Sequence, residues 1–141
     1  MINRLFKRKK PSPCVVGIIT KEEKILLTKR GKIIPEKDKW CLPGGHMNIG
    51  EKVEDTIKRE LKEETGLKTK KLKFLFYHDE IIPRLKLHSV VLVFSLKVSG
   101  KFNPNFEVSE IKWFSKEEIK KLKLAFTHKE IIKRFFKERK S

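Results

Sequence analysis

Residues 45–67 of the chain read GHMNIGEKVEDTIKRELKEETGL. Apolar side chains recur every four residues between Glu51 and Thr65, which predicts an amphipathic helix that ends before Gly66. That helix carries a closely spaced charged group made of Arg59, Glu60, Glu63 and Glu64. Carboxylates this close on one helix edge repel one another. Because hard divalent cations prefer oxygen ligands, the pattern indicates a cation site.

The same stretch resembles the signature of the Nudix hydrolases. The fixed positions of that signature are occupied here by Gly45, Glu51, Arg59, Glu60, Leu61, Glu63, Glu64, Gly66 and Leu67. The lead-in from Trp40 to Gly45 resembles the family as well. The resemblance implies an α/β (α+β) fold, namely an α/β/α sandwich with a mixed central sheet in a single domain. It also implies a Mg²⁺- or Mn²⁺-dependent enzyme that hydrolyses the diphosphate bond of a nucleoside diphosphate linked to another moiety, releasing a nucleoside monophosphate.

Metal ligands follow from the resemblance. It implies that Glu60 and Glu64 are the main ligands, that Glu63 binds directly or through water, and that the carbonyl of Gly44 completes the set. Arg59 precedes Glu63 by four residues, so an intrahelical ion pair is expected to orient that carboxylate.

A general base must deprotonate the attacking water. Glu60 is one candidate for this base. The segment before Trp113 offers Glu107 and Glu110, and some relatives use a glutamate from this region. We favour Glu107, because it lies in the predicted loop. A surface role for both remains open.

Three positions near the glycines are assigned to substrate binding: Gly45, Glu51 and His46. Gly44 and Gly45 let the backbone approach phosphate closely, because they have no side chain. Glu51 opens the predicted helix, where the helix dipole favours a carboxylate, so a purely structural role is an alternative. His46 lies beside the predicted glycine turn.

The flanking segments predict one mixed domain. Strands are expected at residues 14–20, 24–30, 70–82, 85–98 and 108–114, with a short strand running from Trp40 into the glycines. Two capping boxes, Ser115 with Glu118 and Thr127 with Glu130, predict two C-terminal helices. Residues 1–12 are interpreted as a basic N-terminal arm and residues 13–141 as the Nudix domain.

Composition favours polyanionic partners. The 141 residues carry a net charge of +17, although the stretch 45–67 is itself acidic. A basic body with an acidic pocket suits a nucleotide substrate and allows RNA contact, while a lysine-rich surface of a thermophile explains the charge equally well. Cys14 and Cys41 are expected to be buried free thiols. Since no apolar run approaches membrane-spanning length, a cytoplasmic protein is expected.

Substrate choice is the least constrained property. Pro83 follows Leu67 by 16 residues and resembles the marker of the ADP-ribose pyrophosphatase group. ADP-ribose or a similar nucleotide sugar is therefore favoured. The alternatives are a MutT-type pyrophosphohydrolase acting on ordinary or modified nucleoside triphosphates, and an RNA 5′-end pyrophosphohydrolase. A basic nucleic-acid-binding module with a vestigial box is the non-enzyme alternative. Many relatives are dimers, so a homodimer is also an option.

Overall fold

A computed structural model describes residues 10–139 of the chain. Residues 1–9 of the predicted N-terminal arm lie outside the described residues, and the first strand begins inside that arm, at Ser12. The strands are β1 (Ser12–Lys21), β2 (Lys24–Arg30), β3 (Trp40–Cys41), β4 (Gly44–His46), β5 (Lys68–Ile82), β6 (Leu87–Ser99) and β7 (Val108–Ser115). The helices are α1 (Val53–Thr65), α2 (Lys116–Ile119) and α3 (His128–Arg139), and a 3₁₀ turn spans Pro83–Leu85.

Strand β1 connects the two halves of a mixed sheet. It runs parallel to β6 and antiparallel to β4, and β6 pairs antiparallel with β5. This half of the sheet therefore has the strand order β4-β1-β6-β5. At its other end β1 turns through Glu22 and Glu23, both at positive φ, into β2. Strand β2 also pairs with β3 and β7.

Side chains of β1 alternate between two apolar cores, one on each face of the sheet. Val15 and Ile19 pack with Ile57 and Leu61 of α1. Val16 and Ile18 pack on the opposite face, in a cluster that includes the following residues of α3: Ile131, Ile132 and Phe135. Helices thus cover both faces of one mixed sheet. The predicted single-domain α/β/α sandwich is confirmed.

The C-terminal end of helix α1 is fixed by several local hydrogen bonds. Gly66 adopts a left-handed φ of 81°, and its amide donates to the carbonyl of Lys62, as expected for a glycine that ends a helix. The Thr65 hydroxyl donates to the carbonyl of Leu61 at 2.6 Å and accepts from the amide of Leu67. Because Ile57 and Leu61 are also fully buried, the acidic edge of the helix has a rigid support.

Three local predictions differ from the structure. Helix α1 begins at Val53 instead of Glu51, since Gly50 takes a left-handed φ of 85° and the backbone of Lys52 is extended. The segment from Trp40 to Gly45 forms two short strands, because Pro43 lacks an amide hydrogen and the chain passes there from β2 to β1. Gly44 and Gly45 accordingly belong to a strand and not to a turn.

The two predicted capping boxes have different outcomes. Ser115 and Glu118 form both hydrogen bonds of a capping box at the start of α2. Helix α3 begins at the predicted place, but the hydroxyl of Thr127 donates to Glu80 at 2.6 Å. None of the described helices is both long enough and apolar enough to cross a membrane.

Candidate active site

A cleft of about 300 Å³ opens beside β1, and three of the carboxylates singled out by the sequence line it: Glu60, Glu64 and Glu107. Its walls come from β1, β4, α1, the facing parts of β5 and β6, the loop before β7 and the start of α3. Four carboxylates line it: Glu60, Glu64, Glu80 and Glu107. Among the described residues around the cleft, Arg30 is the only side chain with a permanent positive charge. The cleft is therefore strongly acidic inside a basic protein.

Glu64 is the most deeply placed carboxylate of α1. It is only 8% exposed, and its Oε1 accepts a hydrogen bond from the amide of Gly44 at 2.8 Å. Burial raises the pKa of Glu64 to about 8, and the negative charges of Glu60 and Glu107 add to that effect, while the Gly44 amide opposes it. A buried carboxylate whose negative charge is so little neutralised by its neighbours fits a site that binds a cation.

Glu60 lies one helical turn before Glu64 and faces the same cleft. Burial raises its pKa, as do the charges of Glu63 and Glu107, against the opposing effect of Arg59. The absence of a side chain at Gly45 makes room for it. A Cβ atom on Gly45 would lie 2.5 to 2.7 Å from the carboxylate atoms of Glu60. Gly45 therefore matters here because it lets the Glu60 carboxylate sit against β4.

Arg59 holds several acceptors together. Its Nε donates to Glu51 at 2.7 Å, its Nη1 to Glu60 at 2.8 Å and its Nη2 to the carbonyl of His46 at 2.9 Å. The predicted contact with Glu63 is present but longer, at 3.3 Å. The expected ion pair is thus confirmed, but the guanidinium also binds Glu51 and Glu60, and at shorter distances.

Glu51 is a structural acceptor in this arrangement. The hydrogen bond from Arg59 lowers the pKa of Glu51 to about 2, helped by the amide of Asn48 and the hydroxyl of Thr56. Its carboxylate lies before the helix and ties that entry loop to the side chains of α1. Of the two roles that the sequence allowed, the observed contacts are those of the structural one.

Glu63 lies at the outer side of Arg59 and not in the cleft. Its side chain is 50% exposed, and it is not among the described residues that line the cleft. Helical spacing explains the difference, because Glu60 and Glu64 are four residues apart whereas Glu63 pairs with Arg59 on the neighbouring edge.

The two candidate bases before Trp113 are separated by the structure. Glu107 lines the cleft near Glu60 and Glu64. Glu110 lies on β7 and forms ion pairs with Lys29 and Lys112. Of the two, only Glu107 faces the metal-binding carboxylates predicted from the sequence.

Several residues of the cleft were not singled out by the sequence. Arg30 donates from Nε to the carbonyl of Pro35 at 2.7 Å, and its guanidinium lies 4.8 Å from the ring centre of Phe126. Glu80 and His128 are 4% and 5% exposed. Their sequence signal is weak, since each stands in a strand or helix pattern that core packing explains. Only the fold brings them beside α1.

The chemistry of the donor set fits a divalent ion. Glu60, Glu64 and Glu107 supply carboxylate oxygens, and the negative charge of Glu107 raises the pKa of both Glu60 and Glu64, an effect that a bound cation would relieve. Within residues 10–139, however, no three His, Cys, Asp or Glu side chains form a complete set of metal ligands. Further oxygen atoms, from the backbone, water or substrate, would have to complete the coordination.

The family model for the NUDIX domain matches residues 9–135 of the chain. The chain belongs to the Nudix hydrolase family. It is accordingly an enzyme that hydrolyses pyrophosphate bonds in nucleotide substrates, and the Nudix fold and function predicted from the box are confirmed. Hydrolases of this family generally need divalent metal ions.

Individual relatives carry different names. The Nudix chain is 38% identical over 129 residues to an ADP-ribose pyrophosphatase from Methanocaldococcus jannaschii, covering 90% of this chain and 74% of the relative. It is 27% identical over 108 residues to the NAD-capped RNA hydrolase NudC of Vibrio parahaemolyticus, covering 76% of this chain but only 40% of the relative. Among solved structures, a MutT protein from Methanosarcina mazei Go1 superposes with a TM-score of 0.83 at 25% identity, covering 95% of this chain and 99% of that one.

Proposed function

We propose that this Nudix hydrolase cleaves the diphosphate bond of a nucleoside diphosphate sugar, with ADP-ribose as the leading substrate, and releases a nucleoside monophosphate. The observation that carries the chemistry is the pair Glu60 and Glu64, held against the glycine strand β4 inside an acidic cleft. The substrate class is supported by the 38% identical relative named ADP-ribose pyrophosphatase.

Mg²⁺ or Mn²⁺ is the proposed metal. Glu60 and Glu64 would hold it with the carbonyl of Gly44, and Glu63 would bind at most through water, since its side chain is half exposed. When bound, such an ion neutralises diphosphate charge and lowers the pKa of a water molecule. The incomplete protein ligand set supports this assignment, because Mg²⁺ sites often use one or two carboxylates together with substrate phosphates.

Glu107 is the proposed general base. Its carboxylate lines the cleft opposite α1 and would accept the proton of the attacking water. Glu60 is the alternative base, but Arg59 already donates to its Oε1 at 2.8 Å. A carboxylate that is fixed by Arg59 and is also a proposed metal ligand is less free to take a proton from water, so the contacts favour Glu107.

The remaining predicted residues position these groups. Arg59 orients Glu60 and is itself held by Glu51. Gly45 and His46 lie on β4 beside the cleft, where their backbone would adjoin the substrate phosphates. The contact of Arg59 with the carbonyl of His46 fixes the end of that strand.

The experiment is a metal-dependent assay of the release of nucleoside monophosphate, pyrophosphate or phosphate across a substrate panel. The panel contains ADP-ribose, dinucleotides, dNTPs, 5′-triphosphate RNA and NAD-capped RNA, each with Mg²⁺ or Mn²⁺. We expect ADP-ribose to have the highest kcat/KM. If a dNTP or an RNA exceeded it tenfold, the proposed substrate would be wrong while the family chemistry would stand.

RNA 5′ ends are the second candidate substrate. A net charge of +17 and the similarity to a NAD-capped RNA hydrolase support this option. Binding through surface lysines would weaken steeply with salt, because each neutralised phosphate releases counterions. The salt dependence of RNA hydrolysis therefore distinguishes an RNA enzyme from one that acts on free nucleotides.

Compartment and assembly are part of the same proposal. Cys14 and Cys41 are both free and buried, which supports a reducing, cytoplasmic location. A homodimer remains a proposal drawn from the family resemblance, and light scattering at several concentrations would test it.

A further inference from the structure

Glu80 is a buried charge for which the proposed hydrolysis has no use. It lies on β5, lines the cleft and is only 4% exposed. Its Oε2 accepts two hydrogen bonds from Thr127, from the amide at 3.1 Å and from the hydroxyl at 2.6 Å. Thr127 directly precedes α3, and a helix N-terminus stabilises a negative charge. The carboxylate is thus held in place beside the substrate cleft.

One oxygen of Glu80 remains available. Among the described residues, Oε1 has no hydrogen-bond partner, yet it is not fully buried. The only described side-chain atom that is both fully buried and without a hydrogen-bond partner is Oγ1 of Thr69. Because Glu80 lines the cleft, its Oε1 is an acceptor that a ligand can reach.

His128 supplies a donor in the same region. Its Nδ1 accepts a hydrogen bond from the amide of Leu42 at 3.0 Å, so the neutral ring carries its proton on Nε2. Burial lowers the pKa of His128 to about 3, with the charges of Arg30 and His78 as further causes. Nε2 has no hydrogen-bond partner among the described residues and is not fully buried. Because His128 lines the cleft, its Nε2 is a donor that a ligand can reach.

Strand order separates the backbone of Glu80 from the strand that holds the proposed metal site. Gly44, which binds Glu64, lies on β4, whereas Glu80 lies on β5 opposite Ser89 of β6. Three strand spacings of about 4.8 Å lie between β4 and β5, or about 14 Å across the sheet. A nucleoside diphosphate sugar with its diphosphate near Glu60 and Glu64 can therefore reach Glu80 with one of its sugars.

We infer that Glu80 and His128 bind the adjacent hydroxyls of a ribose, with Glu80 accepting from one hydroxyl and His128 donating to the other. A ribose hydroxyl both donates and accepts, so it satisfies either partner. A phosphate group has no proton to give at neutral pH and would be repelled by the carboxylate. This inference rests on the proposed function, since it requires a substrate with a diphosphate and a sugar. The sugar is either the nucleoside ribose or the second ribose.

Three substrates and two variants test the inference. The substrates are ADP-ribose, its analogue with 2′-deoxyadenosine, and the β-methyl ester of ADP, which lacks the second ribose. The test variant is Glu80→Gln, which keeps the shape but removes the charge. Asp79→Asn is the matched control, because Asp79 is the adjacent, exposed acid on the same strand.

We expect Glu80→Gln to lower kcat/KM for ADP-ribose about 10- to 100-fold, mainly through KM, since a hydrogen bond to a charged group is lost. Asp79→Asn should stay within about threefold of the wild type. The two analogues show which of the two riboses binds at Glu80 and His128. The one that lacks the recognised hydroxyl should already be a poor substrate for the wild type, and Glu80→Gln should change its rate little.

Failure of this inference is distinguishable from failure of the proposed function. If the wild type does not hydrolyse ADP-ribose, both are overturned. If it hydrolyses all three substrates with similar kcat/KM, only the sugar subsite is overturned, and this measurement needs no variant. An unchanged KM for ADP-ribose in folded Glu80→Gln protein would overturn it as well.

Discussion

The amide of Gly44 donates a hydrogen bond to Oε1 of Glu64 at 2.8 Å, and this contact joins the glycine strand to the acidic helix. Glu64 is nearly buried there, with burial raising its pKa to about 8. The strand and the helix must therefore be considered together, as the two parts of the proposed metal site.

Glu64→Gln should abolish turnover while preserving the fold. The amide side chain can still accept the Gly44 hydrogen bond but provides no charge for a metal ion. Glu63→Gln is the matched control, since it is the adjacent residue and its side chain is half exposed. We expect Glu63→Gln to lose at most about 10- to 100-fold in activity, the range typical of groups that act outside direct ligation. Steady-state kinetics with Mg²⁺, together with thermal melting, provide the comparison. Near-normal turnover by Glu64→Gln would contradict the ligand assignment.

Arg59 should be energetically coupled to Glu51 and to Glu60 more strongly than to Glu63. The donor–acceptor distances are 2.7 and 2.8 Å for the first two and 3.3 Å for the third. Residues in direct contact give non-additive changes in double-mutant cycles, whereas weakly interacting residues add. Cycles that combine Arg59→Gln with Glu51→Gln or Glu63→Gln, measured by urea unfolding and by Mn²⁺ affinity, test this order. Equal coupling energies in the two cycles would mean that Arg59 binds Glu63 as strongly as Glu51, in line with the ion pair expected from helical spacing.

The acidic helix could be predicted because its signals are local, whereas the sandwich fold was predicted from the resemblance of residues 45–67 to the Nudix signature. Apolar residues every four positions define the buried face of α1, and Gly66 ends it through a left-handed backbone. The relation of Arg59 to its partners was predicted less well. Helical spacing indicates which residues are neighbours, but Glu51 reaches Arg59 from outside the helix, through a loop whose path depends on Gly50.

The placement of Glu80 and His128 in the cleft could not be predicted either, and the reason is different. Glu80 and His128 are 48 residues apart in the sequence and meet only because β5 and the start of α3 pack on the same face. The pattern around Thr127 does predict a helix start, yet its hydroxyl binds Glu80 and not the helix backbone. Long-range contacts of this kind leave no periodic signal in a single sequence.

Gly45→Ala should reduce activity more than it reduces stability. A Cβ atom would come within 2.5 to 2.7 Å of the Glu60 carboxylate, so that side chain must move away from β4. Because Glu60 is a flexible side chain at the edge of the cleft, the fold can absorb the displacement but the metal site cannot. We expect a weaker Mn²⁺ affinity, measured by titration calorimetry, with a Tm within a few degrees of the wild type. Unchanged metal affinity would show that Glu60 is not a ligand.

Glu107→Gln should lower kcat about 10²- to 10⁴-fold, the usual effect of removing a general base. Glu110→Gln serves as the control, because its carboxylate pairs with Lys29 and Lys112 outside the cleft. The pH profile gives a second test. The acidic limb of kcat should flatten in Glu107→Gln, whereas loss of a purely structural group would lower the rate at all pH values. If the two variants behaved alike, Glu60 would become the favoured base.

His128 should make the protein less stable as the pH falls below 6.5. Burial lowers the pKa of His128 to about 3, whereas an unfolded histidine has a pKa near 6.5. Between these values the unfolded state binds a proton that the folded state does not, so the free energy of unfolding decreases as the pH decreases. One proton contributes about 1.4 kcal/mol per pH unit, or about 2 kcal/mol between pH 6.5 and 4.5.

His128→Gln isolates this contribution from that of the carboxylates. Glutamine can still accept the hydrogen bond from the amide of Leu42, but it does not titrate. Urea unfolding of both proteins at pH 7, 6 and 5 gives the difference in stability at each pH. We expect the wild type to lose stability relative to the variant as the pH falls, by about 1 kcal/mol per unit once the pH is below 6. A constant difference across this range would mean that the folded histidine accepts a proton, and then its Nδ1 could not accept the hydrogen bond from the amide of Leu42.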